Sequence, residues 1–153
     1  MKTVVLGIGN LLVGDEGVGV HVTRALLDSG GIGGVDIVDG GTGGFHLLEY
    51  FEDYDRVVII DATADGQAPG TLTVIKPKYA SDYPPTLSAH DIGLKDMLDS
   101  AFLLGKHPEV VLFAVSIARL EIMSMELSPP VAAAVPATAS AVADYLRDHP
   151  DSS

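Results

Sequence analysis

One stretch near the start constrains the fold more than any other: Leu6-Gly7-Ile8-Gly9-Asn10-Leu11-Leu12-Val13-Gly14-Asp15-Glu16-Gly17-Val18-Gly19. The β-branched and leucine run from Thr3 to Ile8 has the length of a strand covered on both faces, and it breaks directly into glycines. Gly7, Gly9 and Gly14 open backbone angles closed to other residues, and Asp15 is a suitable N-cap for a helix beginning after the turn. Val18, Val22, Ala25 and Leu26 then fall at i, i+4, i+7 and i+8, with His21, Arg24 and Asp28 on the other side, the pattern of an amphipathic helix. Glu16 is thereby placed in the first helical turn, at the carboxyl end of the first strand.

A strand, a glycine turn and a helix also describe a dinucleotide site, but the spacing here argues against one. The nucleotide fingerprint requires G-x-G-x-x-G, whereas Gly9 is followed next by Gly14. Asp15 and Glu16 would repel the diphosphate that a helix N-terminus otherwise attracts.

The chain has 153 residues, 47% of them hydrophobic, enough for one domain with a full core. The expected organisation is a single domain over 1–153 with a polar tail at 149–153. A net charge of −12 disfavours nucleic acid and anionic membranes as partners and favours neutral, basic or metallic ones. There is no cysteine, so a thiolate nucleophile is excluded and any metal must be held by oxygen and imidazole. Met1-Lys2-Thr3 leads straight into the first strand without a signal-peptide pattern, and a cytoplasmic location is expected.

Further strands are predicted at 35–39, 56–62, 71–76 and 110–117. The run Thr71-Leu72-Thr73-Val74-Ile75-Lys76 alternates polar and apolar residues, as an edge strand does, and the short loop before it predicts an antiparallel partnership with the third strand. A short helix is expected over 45–51. Ser88-Ala89-His90-Asp91 fits a capping box and places His90 in the first turn of another helix. Ser128-Pro129-Pro130 opens a last helical segment, which Pro136 is expected to restart. Alternating strands and helices predict a three-layer α/β/α sandwich around a mostly parallel five-stranded sheet with one antiparallel edge strand.

In such a sheet Glu16, Asp39, Asp61 and His90 all fall at the carboxyl edge, where ligands bind. Carboxylates brought together repel, and a divalent cation between them keeps them ionised. The positive end of a helix favours a neutral imidazole at His90, able to donate a lone pair. Glu, Asp and His make an open three-ligand site, better suited to zinc or nickel than to calcium or magnesium. Each residue also has a local use: Glu16 complements a helix dipole, Asp61 and His90 cap, and Asp39 shapes the Gly40-Gly41 turn through an Asx bond.

At these residues the sequence resembles the hydrogenase maturation proteases, endopeptidases that trim the large subunit of nickel-iron hydrogenases. Four ordered blocks carry the resemblance over nearly the whole chain: Gly7-Ile8-Gly9-Asn10 with Gly14-Asp15-Glu16-Gly17-Val18-Gly19, then Asp39-Gly40-Gly41-Thr42, Ile60-Asp61-Ala62 and Ser88-Ala89-His90-Asp91. The stretch from Ala118 to Glu126 departs from the family pattern. The resemblance implies an α/β sandwich, Glu16, Asp61 and His90 as metal-contacting residues, and Asp39 as an acid important for processing. It further implies that the partner is the precursor large subunit, that the substrate supplies the nickel, and that a C-terminal extension is removed. Zinc or another divalent cation is possible in the isolated protein, and a monomer is the favoured state. A metal-polarised water, or one activated by Asp39 or Glu16, would attack the peptide carbonyl. The alternatives are a non-cleaving nickel-sensing chaperone of the large subunit and a general metallopeptidase.

Overall fold

The run of β-branched residues at the start forms β1 (Thr3–Ile8), a strand buried at every position. In this computed structural model the described residues are 2–9, 14–41, 48–77, 82, 84, 86–87, 99–100, 103–105, 108–118 and 126–150. β1 is flanked by β2 (Val35–Gly41) and β3 (Arg56–Thr63), followed outward by β5 (Glu109–Ser116) and β4 (Leu72–Ile75), in the order β2-β1-β3-β5-β4. All pairings are parallel except β4 with β5. β1 is thus the strand at which the chain reverses its direction of travel across the sheet, and the crevice at the carboxyl ends of β1 and β3 is its switch point.

Alternation along the central strands supplies two cores. Val5, Val58, Ile60, Val111 and Phe113 face α1 (Val18–Asp28) and α3 (Pro129–Asp148), meeting Val18, Val22, Val142 and Leu146. Val4, Leu6, Val57, Ile59 and Leu112 face the other way, against Phe51 of α2 (Leu48–Asp53) and Leu87. Helices therefore cover a mixed five-stranded sheet in three layers, as the sequence predicts. Among the described residues no helix is long and apolar enough to cross a membrane.

Two local expectations need correction. β4 does run antiparallel to β3, but it pairs with β5 and not with β3. The connecting loop crosses the end of β5 first: the Gly70 N–H donates to the Ser116 carbonyl at 2.8 Å, and the Ser116 N–H donates to the Thr71 carbonyl at 2.8 Å. Gly70 adopts φ +92°, and a Cβ there would lie 2.6 Å from the Pro130 carbonyl oxygen, so the crossing passes tightly against the start of α3. Pro136, for its part, does not restart a helix; it lies inside the continuous α3. Its exposed position spares the helix a steric conflict with the core.

The polar tail expected at 149–153 follows the end of α3 at Asp148. His149 caps α3, its N–H donating to the Tyr145 carbonyl at 3.0 Å and its ring stacked on Tyr145 at 4.3 Å. Residues 151–153 lie outside the described residues.

Candidate active site

Glu16 lies in a single 3-10 turn, Gly14–Gly17, that leads directly into α1. Glycines set its height over the sheet. A Cβ at Gly9 would lie 2.1 Å from the Glu16 carbonyl oxygen, and one at Gly19 would lie 2.2 Å from Ile60 O and 2.4 Å from Ile8 O. Only hydrogen fits in these contacts, so the turn and the start of α1 rest directly on the ends of β1 and β3.

Asp61 follows Ile60 on β3 and has no exposed surface. It continues the row of Val57 and Ile59, on the sheet face covered by α2. Its Oδ1 accepts the Ala62 N–H at 2.8 Å, which fixes the carboxylate's orientation. Just beyond, Thr63 forms an isolated antiparallel bridge with Leu87. The Thr63 and Thr86 hydroxyls are hydrogen-bonded at 2.7 Å, and the Ala64 N–H donates to the Thr86 carbonyl at 3.1 Å. The chain that leads into residue 88 is thereby attached to the end of β3.

Asp39 stands level with this pair, since Gly7 of β1 is in register with Asp39 on one side and Ile60 on the other. Two strand spacings put Asp39 about 10 Å from Ile60. Its side chain points to the opposite face from Asp61, toward α1, where Arg24 Nη2 lies 4.0 Å from Asp39 Oδ2. Both side chains are about half exposed, 55% and 44%, so this ion pair contributes at most about 1 kcal/mol. Asp39 Oδ1 accepts the Gly41 N–H at 2.9 Å, an Asx bond that closes the turn after β2.

The match to known proteins covers most of the chain. The model of the family HycI: Hydrogenase maturation protease matches residues 20–145. The hydrogenase expression/formation protein HupD of Rhizobium leguminosarum bv. viciae is 33% identical over 152 residues, covering 95% of this chain and 74% of that protein. The hydrogenase 2 maturation protease of Escherichia coli is 34% identical over 112 residues, 71% of this chain and 68% of that one. The structure of the hydrogenase maturating endopeptidase HybD from E. coli superposes with a TM-score of 0.84 at 32% identity, covering 97% of this chain and 93% of that one.

The chain belongs to the hydrogenase maturation protease family.

It is accordingly an endopeptidase of hydrogenase maturation. Of the residues expected at the site, Glu16, Asp39 and Asp61 are among the described residues; His90, and the helix expected to begin there, lie outside them apart from 99–100 and 103. Among the described residues no three His, Asp or Glu side chains converge closely enough to share a cation, so a three-ligand site needs a donor beyond them. The turn that carries Glu16 packs against β3, the strand that carries Asp61, whereas Asp39 lies across β1.

Two features of the maturation protease were not legible in its sequence. Asp15 does not cap α1, whose N-cap is Gly17 without a side-chain bond; its carboxylate instead accepts the Ser128 N–H and the Ser128 hydroxyl, each at 2.6 Å. The two residues are 113 positions apart, and no local pattern announces the pairing. His21 on α1 is also less exposed than a polar-face residue would be: its Nε2 is buried and makes no hydrogen bond. Burial, and secondarily Arg24, hold its imidazole below the usual histidine range.

Proposed function

We propose that this protease cuts the C-terminal extension from the precursor large subunit of a nickel-iron hydrogenase, and that it recognises the nickel of that substrate through Glu16, Asp61 and His90. The observation that carries the reading is the Thr63–Leu87 bridge. Leu87 precedes His90 by three residues, a covalent reach of about 11 Å, and Thr63 lies two residues past Asp61. The Glu16 carbonyl lies against Gly9 just past β1, and the helix that follows is seated on Ile8 and Ile60 at Gly19. Two carboxylates and an imidazole form an open donor set for a borderline cation, with positions left for the substrate's own ligands.

Because Asp61 has no exposed surface, substrate nickel reaches it only as the residues that cover it are displaced. Docking therefore reports a fit to the metal. An empty precursor leaves the carboxylate covered, and the peptide bond is not brought into the crevice. In the chemical step a water adds to the scissile carbonyl carbon, and a rim carboxylate, Glu16 or Asp39, takes its proton. That proton passes to the departing amine nitrogen as the C–N bond breaks, leaving a carboxylic acid and a free amine. Asp39, 44% exposed and lying across β1, is placed to act on a water or peptide outside the nickel contacts.

Cleavage of a nickel-loaded precursor, compared with a nickel-free one and monitored by the mass of the large subunit, tests the docking step. Cleavage restricted to the loaded form is expected; equal rates would remove nickel recognition, and an unchanged mass in both would indicate a non-cleaving chaperone. Glu16→Gln is expected to abolish the preference for nickel. Asp39→Asn is expected to lower kcat by about 100-fold or more while leaving KM close to that of the wild type.

A further inference from the structure

Glu16 sits in a short turn seated on the end of the sheet. The turn is one 3-10 cycle long, and the helix it feeds has no side-chain cap. Its first residue, Gly14, takes φ +46°, a left-handed conformation with no side chain to pack against a neighbour. On the sheet side the Gly9 contact sets how closely the Glu16 backbone approaches. On the helix side Asp15, the residue before Glu16, accepts the Ser128 N–H and hydroxyl on its two carboxylate oxygens at 2.6 Å each.

Ser128 is suited to this role by the two prolines after it. It is the N-cap residue of α3, with φ −63° and ψ 154°; Pro129 and Pro130 carry no N–H, so the first that its hydroxyl could accept is that of Val131. Its side chain makes no cap bond to its own helix, so the hydroxyl donates to Asp15, while its carbonyl accepts the Ala132 N–H at 2.8 Å and starts the helix. An extended backbone at Ser128 presents its N–H and hydroxyl to one carboxylate together. The bond pair thus ties the Glu16 turn to the rigid end of a 20-residue helix.

We infer that Asp15 and Ser128 form a clamp that positions Glu16 for substrate nickel, which makes both of them positioning residues of the maturation protease. This rests on the proposed role of Glu16. Neither side chain needs to touch substrate; the clamp acts by holding the neighbouring carboxylate in place, and displacements of about 1 Å at a reacting group can lower rates about 100-fold.

The test compares cleavage of nickel-loaded and nickel-free precursor by the wild type and by Asp15→Ala, Asp15→Asn, Ser128→Ala and the Asp15→Ala/Ser128→Ala double variant, with Glu16→Gln in parallel. Asp15→Ala is expected to lower kcat/KM on the loaded precursor by about 100-fold and to shrink the loaded-to-empty rate ratio. A general loss of stability would lower both rates alike and leave the ratio unchanged. Asn keeps an acceptor for the Ser128 N–H, and its amide can donate to the hydroxyl, so Asp15→Asn should retain most of the activity. The double variant should be no worse than Asp15→Ala. A wild-type ratio in Asp15→Ala, or additive losses in the double variant, would overturn the clamp. If Asp15→Ala does not fold, Ser128→Ala decides: an unchanged ratio there rejects the proposal. Should Glu16→Gln keep the wild-type ratio, the role of Glu16 itself fails, whichever way the clamp variants behave; loss in Glu16→Gln with none in Asp15→Ala rejects the clamp alone.

Discussion

At Gly19 the site and the fold meet in one hydrogen atom. The α carbon lies so close to β1 and β3 that a methyl group would stand 2.2 Å from Ile60 O and 2.4 Å from Ile8 O, both of them backbone atoms that cannot rotate away. Gly19→Ala therefore has to lift α1, and the Glu16 turn with it. The expected cost is about 2 kcal/mol or more, a fall in Tm of about 4–8 °C, with cleavage lost well below the new Tm. A second residue-scale prediction concerns Tyr54, whose hydroxyl donates to Asp36 Oδ2 at 2.6 Å. That hydrogen bond, then burial, pushes its pKa from 10.0 up to about 12. The sign comes from the raised folded-state value: the bond stabilises the fold fully below pH 10 and is lost as the pH climbs toward 12. Phenolate absorbance should show one tyrosine titrating near pH 12, and Asp36→Asn should return it toward 10.

Elements rather than single residues decide how much of the fold is legible in the sequence. Pro136 is a useful case: inside α3 it removes an intrahelical N–H at an exposed position. Pro136→Ala should restore that bond and raise stability by about 1–3 kcal/mol, read as a higher Tm with unchanged cleavage. Local propensity correctly marks this proline as a helix breaker, and tertiary packing of Val131, Ala134, Thr138 and Val142 overrides it. The central strands are legible because burial on both faces writes an unbroken β-branched run into the sequence, as in Val57-Val58-Ile59-Ile60. β4 is legible as an edge strand by its alternation, but its neighbour is not, because pairing with β5 depends on a segment about thirty-five residues later in the chain. The same limit applies to the site. Motif spacing places Glu16 and Asp61 at one edge, while the face on which Asp39 points depends on its register with Gly7, and the Asp15–Ser128 pairing depends on where α3 begins in space.

Over the whole molecule, the two ends of the sheet do different work. The carboxyl edge gathers acids in a chain of net charge −12, which draws cations toward it. The amino edge is held together by Arg56, 2% exposed at the start of β3. Its Nε donates to Thr3 Oγ1 at 3.2 Å and its Nη1 to the His149 carbonyl at 2.7 Å, joining β1, β3 and the end of α3. A cation at a helix C-terminus also complements the helix dipole. Arg56→Ala is expected to cost about 3 kcal/mol or more and to lower Tm, yet to leave cleavage intact at low temperature, since Arg56 lies at the opposite end of β3 from Asp61. That separation of stability from activity distinguishes the amino edge from Gly19.

The proposed nickel recognition requires one cation to be shared by Glu16, Asp61 and His90, which come from three places in the chain. The anomalous signal of nickel in crystals grown with the ion tests this: a single peak within coordination distance of Glu16, Asp61 and His90 is the predicted result, and nickel bound elsewhere, with these three side chains apart, would contradict it.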